Sequence, residues 1–184
     1  MFTHSPIRRA HALVAAAGVA LALIPATVIA QQPMPSVVVA ATAKPDLARA
    51  AQLEAEAARE EVSPKRWRDA ASLYRRAAEL HGATPEAVTL YKRAAWLYSA
   101  AGDHGKGRQQ LERSARIALD RGDVVLAANT LYDAALMAAT GRDIRATDET
   151  LGRLQVLLAA PLMPDDVRAG MKERLTTPAR LARR

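Results

Sequence analysis

Gly82, Gly102, Gly122 and Gly141 stand 20, 20 and 19 residues apart, and each is followed within two residues by Thr84, Asp103, Asp123 or Asp143. Glycine takes the left-handed backbone that ends a helix, and a short oxygen-bearing side chain satisfies the first free amides of the next. Pro64 after Ser63 and Pro85 after Thr84 add the proline favoured in a helix's first turn. One helix with its turn therefore fills one glycine interval, and a helical hairpin fills two. Links this short force consecutive helices to run antiparallel.

Between these marks, apolar residues recur at three- and four-residue steps. Ala87, Leu90, Ala94, Leu97 and Ala101 form one stripe; Val124, Ala128, Leu131, Ala135 and Ala138 form a second. A third, Ile144, Thr147, Leu151, Leu154 and Leu158, has one polar member. Amphipathic helices bury such stripes against their neighbours. The pattern predicts helices near 46–60, 64–81, 84–101, 103–121, 123–140, 143–160 and 164–176, and no sheet. Composition agrees: the chain is 50% hydrophobic but only 4% aromatic, because 42 of its 184 residues are alanine. Such a core suits closely packed helices better than a β-sandwich, and the expected class is all-α.

The residues also repeat. Leu73-Tyr74-Arg75-Arg76-Ala77-Ala78 returns as Leu90-Tyr91-Lys92-Arg93-Ala94-Ala95, and more faintly as Leu131-Tyr132-Asp133-Ala134-Ala135. The run from Trp67 to Leu80, with Ala70, Tyr74 and Ala77 in small–aromatic–small spacing, resembles the second helix of a tetratricopeptide repeat. Tyr91, Ala94-Ala95 and Tyr98 are similar to the first helix of the next repeat, Gly102-Asp103 to its turn, and Gly107, Leu111 and Ser114 to its second helix. Leu131, Ala134-Ala135, Thr147, Leu151 and Leu154 carry a fainter third match. The resemblance covers about residues 47–160, with hairpins longer than the ~34 residues usual in the family and without its closing proline. It implies an α-α superhelix: a right-handed solenoid of about three hairpins plus a capping helix at Pro164–Thr176. It also implies protein–protein interaction. A generic α-hairpin solenoid or a plain helical bundle is the other reading of the same pattern.

The first thirty residues read as an address. Arg8 and Arg9 are followed by the apolar run Ala12–Ala30, which closes on the small-residue exit Val28-Ile29-Ala30 before Gln31. These are the parts of a secretory signal peptide, and they place the mature chain in the periplasm or outside the cell. An uncleaved membrane anchor is the alternative, since the run is about long enough to span a bilayer. Residues 31–45 read as a linker and 177–184 as a disordered basic tail whose arginines could touch anionic lipid. The net charge of +7 falls to +2 between Gln31 and Arg174, a mixed surface rather than a nucleic-acid face.

Catalytic chemistry is hard to find. The chain has no cysteine, and past the signal only His81 and His104 remain, each beside an expected helix end. The run Gly102–Gly107 lacks the strand and the Ser or Thr that a phosphate loop needs. Arg121-Gly122-Asp123 is explained by helix ending and capping. Glu112 with Arg116, and Glu149 with Arg153, have the spacing of solvent-facing pairs. The expectation is a non-catalytic scaffold of a bacterial-type cell envelope, with no cofactor or metal, holding a protein or peptide in a concave groove. Thr89, Lys92 and Trp96 would line one helix of it and Asn129, Tyr132 and Leu136 the next. The alternative is an accessory protein binding a small ligand or glycan, or an envelope enzyme with a dispersed site.

Overall fold

The computed structural model describes residues 46–183. The expected signal peptide and linker lie outside the described residues. Within them are α1 (Leu47–Glu61), a short 3-10 turn (Pro64–Arg66), α2 (Trp67–His81), α3 (Pro85–Ala100) and α4 (His104–Asp120). Then follow α5 (Val124–Thr140), α6 (Ile144–Leu158), α7 (Asp165–Arg174) and α8 (Thr176–Ala182). From α1 to α6 each helix packs on the next, and no strand occurs among the described residues. The all-α expectation is met.

The helix boundaries follow the glycine spacing, with two departures. Asp46, Thr84, Asp123 and Asp143 each accept a hydrogen bond from the amide three residues on. Asp103 does not cap α4; its carboxylate pairs with Arg68 of α2 at 2.9 Å. Gly82, Gly102 and Gly122 take the left-handed backbone, at φ 69°, 84° and 79°. Gly141 stays at φ −76°, and Arg142 turns left-handed in its place at φ 57°. Gly141 serves a different need: a Cβ there would lie 2.9 Å from the Cβ of His104.

Small residues let the helices approach closely. Ala77, Ala94, Ala95, Ala134 and Ala135 are fully buried. Ser114 of α4 donates to the Val88 carbonyl of α3 at 3.2 Å, with no solvent exposure. Beside it in α4, a Cβ on Gly107 would stand 2.8 Å from the Ala95 carbonyl oxygen. Buried Tyr74, Tyr91 and Tyr98 fill the space these contacts leave.

The C-terminal end differs from expectation. The expected helix 164–176 stops at Arg174, and much of the segment read as a disordered tail is helix α8. Pro178 and Ala182 stand four residues apart on one face of α8, and both are buried. That face lies against α5 and α6, while Arg180 and Arg183 are exposed.

Candidate functional site

Thr89, Lys92 and Trp96 share one face of α3 by their three- and four-residue spacing. Trp96 is 50% exposed, so it is not a core residue. Thr89 is exposed, its hydroxyl donating to the Pro85 carbonyl at 3.2 Å, and Lys92 is half-buried. On α5, Asn129 is half-buried and donates to the Val125 carbonyl at 3.1 Å.

Asp133 is the residue that sequence reasoning passed over. Burial pushes its carboxyl above the ordinary range, and the positive charges of Lys92 and Arg174 partly offset this. Asp133 of α5 therefore lies within electrostatic reach of Lys92 on α3 and of Arg174 on α7. A signal was present: Asp133 is the single charged residue in the 17-residue helix α5. A lone carboxylate in so apolar a helix requires a cationic setting.

Two of the six expected groove residues are covered. Tyr132 is only 5% exposed, and the Arg174 guanidinium lies 4.2 Å from its ring centroid. Leu136 is half-buried against the cluster that Met163 and Met171 complete. The cause is the C-terminal segment, which folds back onto α5 instead of ending as a tail. Thr89, Lys92, Trp96 and Asn129 keep the exposure a binding surface needs.

Other polar groups are occupied structurally. Glu61 at the end of α1 accepts from the Tyr74 hydroxyl at 2.9 Å and from Arg93 Nη2 at 2.7 Å, while Arg93 stacks 4.8 Å over the Tyr74 ring. Burial first, and then the bond to Glu61, raises the Tyr74 pKa to about 12. His81 Nε2 lies 2.8 Å from Glu54, and His104 Nδ1 lies 2.9 Å from the Ser99 hydroxyl. No cluster of three potential metal ligands exists among the described residues. Glu112 pairs with Arg108 and with Arg153 of α6, not with Arg116, and Arg153 does not turn to Glu149. Asp123 of the Arg-Gly-Asp run caps α5, and Arg121 reaches the Ala83 carbonyl at 3.4 Å.

No helix among the described residues is long and apolar enough to cross a membrane. No protein family, curated protein or solved structure matches the chain.

Proposed function

We propose that the chain is an exported, non-catalytic scaffold of the tetratricopeptide-like kind, which holds a protein or peptide segment on the face of α3 that carries Trp96. The hairpins stack as a right-handed superhelix, odd-numbered helices in one layer and even-numbered helices in the other. Contacts between alternate helices support that arrangement. Arg93 of α3 meets Glu61 at the end of α1 at 2.7 Å, Arg113 of α4 meets Glu79 of α2 at 3.2 Å, and Arg153 of α6 meets Glu112 of α4 at 3.2 Å. The working surface is Thr89, Lys92 and Trp96, with Asn129 and Asp133 on the α5 side; Tyr132 and Leu136 are left out because α7 covers them.

The observation that carries the reading is Trp96. Tyr91 and Tyr98 on the same helix are buried, yet the indole stands half in solvent beside a lysine. Aromatic anchors dominate many interfaces, and truncating one costs on the order of 2 kcal/mol or more. Trp96→Ala should therefore abolish partner capture from the native envelope, compared with wild type by mass spectrometry, while helical content and melting temperature hold. Capture that survives the substitution would move the binding surface elsewhere. Removal of residues 1–30 is tested separately by intact mass of exported material, where a retained segment would restore the membrane anchor.

A further inference from the structure

At the C-terminal end a trough runs between α6 and the α7–α8 segment. It consists of two cavities, of about 370 and 440 Å³, which both take a wall from Gln155 on α6 and Leu175 between α7 and α8. The first extends to Asp148 on one side and Ala179 on the other; the second extends to Ala159 and Arg168. The two walls thus run antiparallel, and the cavities join end to end. Each lies within the volume range of small-molecule sites.

The trough is apolar along most of its length and cationic at one end. Buried Leu151 and Leu158 form its floor. Gly152, midway along α6, leaves its side open: nothing lies within 4 Å of where a Cβ would stand. Arg168 and Lys172 stand at the far end. Lys172 has no ion-pair partner among the described residues, whereas Arg168 pairs with Asp165 at 3.0 Å and its Nη2 donates to the Ala160 and Met163 carbonyls at 3.2 and 3.0 Å. The Nε of Arg168 is the one buried side-chain nitrogen or oxygen among the described residues that lacks a hydrogen-bond partner. Two cations at the end of an apolar trough, one of them an ammonium without an ion-pair partner among the described residues, suit an anion.

We propose that this trough binds a single-chain anionic amphiphile, with its acyl tail along α6 and its carboxylate or phosphate at Arg168 and Lys172. The α6 wall from Asp148 to Ala159 is about 16 Å long at the helical rise. An extended chain advances roughly 1.2 Å per bond, so a tail of about twelve to fourteen carbons fills it. The site stands apart from the Trp96 surface and does not depend on that reading.

The test is calorimetric titration of the full chain with dodecanoate below its micelle concentration, with dodecanol as the uncharged control. One dodecanoate should bind per chain, at least about tenfold more tightly than dodecanol. Lys172→Glu should remove that preference and leave dodecanol binding unchanged. Gly152→Phe should abolish binding of both with helical content intact, and Trp96→Ala should change neither. Absence of dodecanoate binding at millimolar concentration, or binding that survives Gly152→Phe, overturns the proposal. So does binding to phosphatidylglycerol vesicles without binding of the monomer, which would make this a membrane-surface contact. A dimer that Gly152→Phe breaks, with no dodecanoate bound, would give the trough to a second copy and overturn it equally.

Discussion

The first and last of the six successively packed helices, α1 and α6, are built differently. The solvent side of α1 carries Arg49, Gln52, Glu56 and Arg59 among alanines; Ala50, Leu53 and Ala57 are buried, and Leu47 at the first position is 55% exposed. The outer side of α6 carries Gly152, Gln155 and Val156; Val156 is 76% exposed, and Leu162 just beyond the helix is 80% exposed. A stack of hairpins needs a polar surface at each end, because the last helix has no successor to bury its apolar side. By that measure the middle of α1 is made as an end, whereas α6 leaves Gly152 and Val156 open at mid-helix. The short α8 packs against both α5 and α6.

The same contrast appears at two mid-helix glycines, and one substitution made at both sites tests it with the largest effect. Gly107 sits where α4 crosses α3, and an added Cβ would meet Met137 Sδ and lie 2.8 Å from the Ala95 oxygen. The methionine tip can swing aside, but the backbone oxygen cannot. Overpacking of this kind costs about 1–3 kcal/mol, and the helix-propensity gain of alanine over glycine returns about 1 kcal/mol. Gly107→Ala should thus lower stability in chemical denaturation. Gly152 meets nothing, so Gly152→Ala should raise stability by up to about 1 kcal/mol. Changes of the same sign would erase the distinction between a packed crossing and an open end.

The parts of this architecture that were legible in the sequence are those set by local chemistry. Glycine spacing, capping oxygens and alanine stripes each act within one turn of helix, so the boundaries of α3 to α6 follow from them directly. Gly141 was misread because the demand on it comes from His104, 37 positions earlier in the chain. The covering of Tyr132 was hidden for a similar reason. Spacing alone places Trp96 and Tyr132 on comparable faces of α3 and α5, but only the fold-back of α7 decides that Arg174 covers Tyr132. The fold-back rests on a few residues, Met171, Pro178 and Ala182, too few to form a recognisable stripe.

A second prediction separates the ends by pH. The N-terminal hairpin holds Tyr74 protonated against Glu61, with its pKa raised to about 12. A group whose folded pKa lies above its unfolded value of about 10 contributes stability that is intact below pH 10 and is lost as pH rises through the folded value. The wild type should therefore lose stability between about pH 10 and 12 more steeply than Tyr74→Phe, and the variant should lose a late-titrating component of the phenolate absorbance. Equal slopes would mean that Glu61 and Arg93 do not hold the ring as described. The effect should be absent at neutral pH, where Tyr74→Phe reports only the lost hydrogen bond to Glu61.

The smallest effect is expected on α5, where the two halves meet. Burial holds the Asp133 carboxyl above its ordinary pKa, so its ionised form costs stability that Lys92 and Arg174 return only in part. The sign is the reverse of an ordinary ion-paired aspartate: a raised folded pKa favours the folded state below the carboxylate range, and the advantage disappears as pH rises through it. Asp133→Asn removes the charge with little change of shape. It should raise the melting temperature slightly at neutral pH, and the gain should vanish under acid conditions in which both side chains are neutral. If the variant is instead less stable at neutral pH, Asp133 is a net stabilising partner of Lys92 and Arg174, and α7 is held on α5 by charge. If stability is unchanged at every pH, the carboxylate is solvated, and the contact between Arg174 and the Tyr132 ring must hold the fold-back without it.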